Sequence, residues 1–115
     1  PARRGARATP PPPPPPPPAP PPPPARAPFE ARLRAEGYDE ILTKTLAPNA
    51  VIPDHTHPFD VLALVLEGEA TIDCGQGPRT YRPGDLLEVE RDVVHSEHYG
   101  PNGYTFIVGR RHAPR

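Results

Sequence analysis

Two histidines one residue apart lead into a run that is apolar at almost every position. The stretch reads Pro53-Asp54-His55-Thr56-His57-Pro58-Phe59-Asp60, then Val61-Leu62-Ala63-Leu64-Val65-Leu66, and stops at Glu67-Gly68. A strand with one wet face alternates apolar and polar residues. Phe59 to Leu66 is apolar on both faces instead, as expected for a strand buried between two sheets. Side chains alternate along a strand, so His55 and His57 point the same way, roughly 6–7 Å apart. Two imidazoles so placed converge on one metal ion where the strand curves. A third, His95, follows Val93-Val94 in another strand-like run. A lone histidine would read as a surface residue beside a turn. A His-x-His pair with a third histidine across a sheet reads as a metal site.

The foldable part of the chain is shorter than its 115 residues. Residues 1–28 are almost entirely Pro, Ala and Arg, with unbroken proline from Pro10 to Pro18 and from Pro20 to Pro24. Such a segment has no apolar groups to offset its ordering entropy, and a disordered, extended polyproline II tail is expected. About 85 residues remain, enough for one modest core. The expected organisation is a tail over 1–28, one domain over 29–111 and a short C-terminal tail over 112–115. With no methionine, residue 1 is not a translation start. The tail is expected to be part of a longer linker or sequence upstream of the true start.

Charge narrows the partners. The tail carries Arg3, Arg4, Arg7 and Arg26 and no acids, so the rest holds all fourteen Asp and Glu against nine Lys and Arg. A domain near −5 is a poor nucleic-acid binder. The single cysteine, Cys74, excludes an intrachain disulfide. Asp73 beside it opposes a reactive thiolate, so it reads as a strand-end residue. No stretch approaches the ~20 apolar residues of a membrane span, and no apolar signal core is seen at the N-terminus. A cytoplasmic protein without nucleic-acid or membrane partners is expected.

Along the chain, Pro28 to Gly37 allows a turn or two of helix, with Phe29 and Leu33 on one face and Gly37 as its stop. Tyr38–Leu46 reads as an edge strand, and Val51-Ile52 as a short extended piece. After Phe59–Leu66, Glu67-Gly68 reads as a turn into a return strand, Glu69–Cys74. Gly75-Gln76-Gly77-Pro78 marks a hairpin, followed by strands at Arg79–Arg82 and Leu86–Glu90. Val93–Tyr99 and Tyr104–Val108 are separated by a loop at Gly100-Pro101-Asn102-Gly103. About eight short strands without a long helix define an all-β sandwich or small barrel, with a double-sheet jelly roll the nearest architecture.

At this point the residues resemble a known family, the small single-domain cupins. Its first motif combines His-x-His with a later Glu and Gly, matched here by His55-x-His57 and Gly68. Its second combines Pro-x-Gly with a later His, matched by Pro83-Gly84-Asp85 and Val93-Val94-His95. Val65–Glu69 and Tyr81–Asp85 are also typical of it, and the resemblance runs from about Tyr38 to Arg110. It implies a double-stranded β-helix, or jelly-roll, barrel binding one divalent transition metal such as iron, manganese, nickel or zinc. The departures are specific. The family's acidic ligand position falls on Val61, which cannot bind metal, and Asp60 lies one residue early. Parity directs Asp60 to the face opposite His55 and His57. A bulge or the bend after Pro58 would turn it inward as a fourth ligand. Glu90 and Asp92 replace the family's Pro and Gly before His95, which implies a looser, acidic turn there.

The expected metal ligands are His55, His57 and His95, with Asp60 as a conditional fourth. Three neutral imidazoles with a vacancy fit a catalytic rather than a structural site. Without a neutralising carboxylate the ion stays 2+ and favours an anionic substrate and a more acidic bound water. Glu97 and Tyr99 share the parity of His95 and are the candidate catalytic proton carriers. His98 has the opposite parity and reads as surface. Tyr81, Tyr104, Phe59 and Phe106 read as packing. Two functions follow for a small-molecule ligand: an oxygenase or isomerase of a small anionic molecule, or a non-enzymatic sensing module similar to the cupin domains of bacterial regulators. A barrel this small gains from covering an edge strand, so a homodimer suits either.

Overall fold

Two long bent strands organise the molecule. The computed structural model describes residues 9–16 and 26–114. Of the tail, only 9–16 and 26–28 fall among these. The former are exposed and carry no helix or strand. In chain order the elements are α1 (Arg26–Ala35), β1 (Glu40–Leu46), β2 (Val51–His55), β3 (Asp60–Asp73), β4 (Pro78–Tyr81), β5 (Leu86–Val89) and β6 (His95–Arg111). Helix α1 therefore starts ahead of residue 29. The helix is too short and too polar to cross a membrane.

All strand pairings are antiparallel, and β6 is the hub, pairing with β1, β2 and β3. Its C-terminal part lies between β1 and the start of β3. Its N-terminal part lies between β2 and the end of β3, with His55 paired to His95 and Ala70 to Tyr99. The sheet curls into the jelly-roll barrel that the strand pattern implied.

Glu67-Gly68 and Gly100–Gly103, expected as chain reversals, are corners within continuous strands of 14 and 17 residues. The β3–β6 register slips between Val65 and Glu67 and again between Gly68 and Ala70. Gly68 takes φ 72°, and a Cβ there would collide with the Gly103 carbonyl oxygen. The two backbones cross too closely for any side chain, so composition alone mimics a turn. The slip also switches which parity faces inward. In β6, His95, Glu97 and Tyr99 line the cavity before the corner, and Tyr104, Phe106, Val108 and Arg110 line it after.

The doubly apolar run of β3 is explained by two different cores. Ala63 and Val65 point into the barrel with Ile72, Leu87, Val89, Tyr104 and Val108. Leu62 and Leu64 point outward, against Phe29, Leu33, Tyr38 and Ile107. The outer cover is thus a helix rather than the second sheet expected from sequence. Helix α1 ends in a Schellman arrangement: Gly37, at φ 82°, donates its N–H to Arg34 O at 3.1 Å, and Tyr38 donates to Leu33 O at 2.9 Å. Leu33 then sits over Gly109, where a Cβ would lie 2.6 Å from its Cδ2.

Candidate metal centre

His55 closes β2, His57 lies in the bend leading to β3, and His95 opens β6. Their ligand-capable atoms all lie within 4.8 Å of one another. Ring centroids are separated by 4.8 Å (55 to 57), 4.2 Å (55 to 95) and 5.0 Å (57 to 95). His55 Nδ1 lies 2.9 Å from Pro53 O, and His95 Nδ1 lies 3.0 Å from Val93 O. A carbonyl only accepts, so each Nδ1 carries the proton and donates it. Each Nε2 lone pair is thereby left for a ligand. Burial, then the neighbouring His95 and His55, hold the His57 pKa down from 6.5 to about 4, so this ring is neutral at neutral pH. Imidazole nitrogens held in this way fit a divalent transition metal.

The structure brings together three of the four residues that sequence named as metal candidates. Asp60 lies elsewhere. It is 3 % exposed, and its Oδ1 accepts the backbone N–H of Arg91 at 2.9 Å. Its Oδ2 accepts from Arg91 Nη2 at 3.2 Å and from Arg111 Nη2 at 3.1 Å. The β3 register carries no bulge at Asp60, so its parity holds and the carboxylate serves the turn that delivers His95. That turn is not loose. Asp92 adopts φ 64°, a left-handed conformation that Asp tolerates better than most residues, and donates its N–H to His57 O at 2.8 Å. The turn is thus bound to both metal-bearing segments.

Glu97 stands beside the imidazoles. Its Oε2 lies 3.3 Å from His55 Nε2 and 4.0 Å from His95 Nε2. Its Oε1 accepts a hydrogen bond from the Tyr99 hydroxyl at 3.2 Å. Burial, reinforced by the Glu97 charge, raises the Tyr99 pKa and keeps that phenol protonated. Both residues line a cavity of about 120 Å³ with His57, His95 and an apolar wall that includes Val61, Leu87 and Phe106.

Sequence reasoning missed two cations on this wall, Lys44 and Arg110. Their strand parity with Leu46 and Val108 was the available signal, but it becomes useful only once the inward face is known. Arg110 is oriented by Glu40 at 2.9 Å and by the Phe59 ring at 5.1 Å, and Phe59 itself stacks on His57 at 4.8 Å. His98 and Cys74 are exposed. Partial desolvation by its neighbours, and then the Asp73 charge, nevertheless raise the Cys74 thiol pKa, which leaves it a poor nucleophile.

With a three-histidine cluster at the mouth of a jelly roll, the comparisons agree on the class. The family model described as the cupin domain matches residues 42–99. This chain belongs to the cupin family. Among solved structures, a cupin-like protein from Thermotoga maritima superposes with TM-score 0.59 at 21% identity, covering 70% of this chain and 62% of that one. KdgF from a Halomonas species gives 0.53 at 18% identity, covering 61% and 67%. The DMSP lyase DddQ from Ruegeria pomeroyi gives 0.57 at 24% identity, covering 62% of this chain but 36% of its own. Likeness at these identities establishes the fold. No curated protein matches the sequence.

Proposed function

We propose that this cupin is a metal-dependent enzyme acting on a small anionic organic molecule, by isomerisation or by oxygen-dependent oxidation. The observation that carries the reading is the position of Glu97, 3.3 Å from a ligand-capable nitrogen of His55 and hydrogen-bonded to Tyr99 at 3.2 Å. A carboxylate beside three imidazoles has the reach to exchange a proton with a molecule held there. His55, His57 and His95 would hold the metal. Bound there, an ion would supply Lewis-acid polarisation of an oxygen of the guest.

The remaining steps belong to this chain's side chains. Lys44 and Arg110 favour a negatively charged guest. A cavity of about 120 Å³ is smaller than the ~300–1,000 Å³ of drug-sized sites, which restricts that guest to a few heavy atoms. The apolar wall excludes water around the reacting carbon. Glu97 takes a C–H proton from the carbon next to a carbonyl of the guest and returns it to the resulting enolate oxygen, the C=O bond becoming C–OH as C=C forms, a keto–enol isomerisation. Tyr99 holds the other carboxylate oxygen and so fixes the direction of the one that reacts. The catalytic residue of this reading is Glu97, with Tyr99 as its partner.

The test is proton exchange. Metal-loaded protein is incubated in D2O with small oxo and hydroxy acids, and the loss of their C–H signals is followed by NMR. Exchange that disappears in Glu97→Gln supports the reading. Protein that holds metal but exchanges no proton from any acid would favour the sensing module instead.

A further inference from the structure

One polar group beside the cavity has no hydrogen-bond partner among the described residues. Tyr104 is 2 % exposed, and its hydroxyl is buried with no hydrogen-bond partner among the described residues. It is the one such side-chain atom among them. The ring lines the same cavity as His57, His95 and Glu97. It is clamped between Tyr99, at 5.5 Å, and Phe106, at 4.4 Å, so the hydroxyl cannot swing out to find water. A buried hydroxyl without a partner is destabilising, and phenylalanine would fill the site equally well without that cost.

We infer that the Tyr104 hydroxyl is a ligand-binding donor, which hydrogen-bonds an oxygen acceptor of the small acid in the cavity. The geometry favours a second oxygen function over the carboxylate itself. Tyr104 lies three inward-facing positions from Arg110 along β6, and Lys44 is paired with Phe106 between them. The cations therefore stand on the Arg110 side of Tyr104, where they attract the carboxylate. The phenol is left to meet a carbonyl or hydroxyl oxygen at the far end. Burial, followed by the charge of Glu97, raises the Tyr104 pKa, so it acts as a donor throughout the working range. The ligand class is a short oxo or hydroxy acid.

This inference rests on the proposed acid-binding function, and the experiment separates the two. Full-length protein and Tyr104→Phe are loaded with zinc, their metal content is measured, and both are titrated calorimetrically with pyruvate and with propionate, which lacks the second oxygen. Both proteins are expected to hold the metal equally, with Tyr104→Phe at least as heat-stable as the parent. Pyruvate affinity should fall about tenfold in the variant, the size of one ordinary hydrogen bond, while propionate affinity stays unchanged. Equal loss for both acids, no loss for either, or no binding of pyruvate by the parent would overturn the assignment of Tyr104. A parent that takes up no zinc overturns the metal reading instead. Should Tyr104→Phe fail to fold, the parent labelled with ¹³C at the tyrosine ring carbon bearing oxygen gives the same answer. The Tyr104 signal must move on adding pyruvate and stay still on adding propionate, and a signal that ignores pyruvate overturns the assignment.

Discussion

Asp60 Oδ1 accepts the backbone N–H of Arg91 at 2.9 Å, and that bond ties the start of β3 to the turn that carries His95. Arg91 continues the link by donating to Ala113 O at 2.7 Å and to Arg111 O at 3.2 Å. A carboxylate placed one residue from the family's acidic position thus serves the site mechanically. Asp60→Ala removes a buried carboxylate from two half-buried guanidinium groups that share it and should lower folding stability by about 3 kcal/mol. Thermal melts read that loss. Metal bound per folded molecule should stay near the parent value, and its collapse would show that Asp60 contacts the ion.

His57→Ala should do the reverse. It removes one of three converging donors while leaving the barrel core intact, so metal uptake should be largely lost and the melting temperature of metal-free protein nearly unchanged. Metal titration alongside a thermal melt distinguishes the two variants.

The helix cover depends on Gly109. A methyl group there would lie 2.6 Å from Leu33 Cδ2 and 3.1 Å from Tyr38 Cδ1, so Gly109→Ala should push α1 off the sheet. Overpacking of this kind typically costs about 1–3 kcal/mol, or roughly 4–8 °C per kcal/mol in a domain this size. A variant as heat-stable as the parent would show that α1 gives way without loss.

Metal-free protein should weaken in mild acid. His57 titrates near 4 in the fold against 6.5 in the open chain, so the unfolded state binds the proton more readily. The contribution of His57 is fully present above pH 6.5, is lost as pH falls from about 6.5 towards 4, and changes no further below. Denaturant melts across that window should show a decline in the parent that is smaller in His57→Ala.

Much of this was legible in the chain because strand parity is a local rule. It put His55 and His57 on one face, Glu97 and Tyr99 on the face of His95, and Asp60 away from His57, while the cupin motifs joined His95 to the pair. What parity could not supply was its own resets. Gly68 and Gly103 look like turn residues, yet each supports a corner where two strands cross backbone to backbone. Past that corner the inward residues change from odd to even, so parity counted from His95 does not carry on to Arg110. The outer core was hidden for another reason. An apolar face declares that something covers it, and Phe29 and Leu33 four residues apart do not reveal that they are the cover.

The measurement that bears most directly on the account is the metal content of the full-length protein, purified without chelator or nickel affinity resin and analysed by mass spectrometry. Close to one equivalent of iron, manganese, nickel or zinc is expected, and it should be lost in His57→Ala. A folded protein that is isolated empty and takes up none of these ions on titration would contradict it.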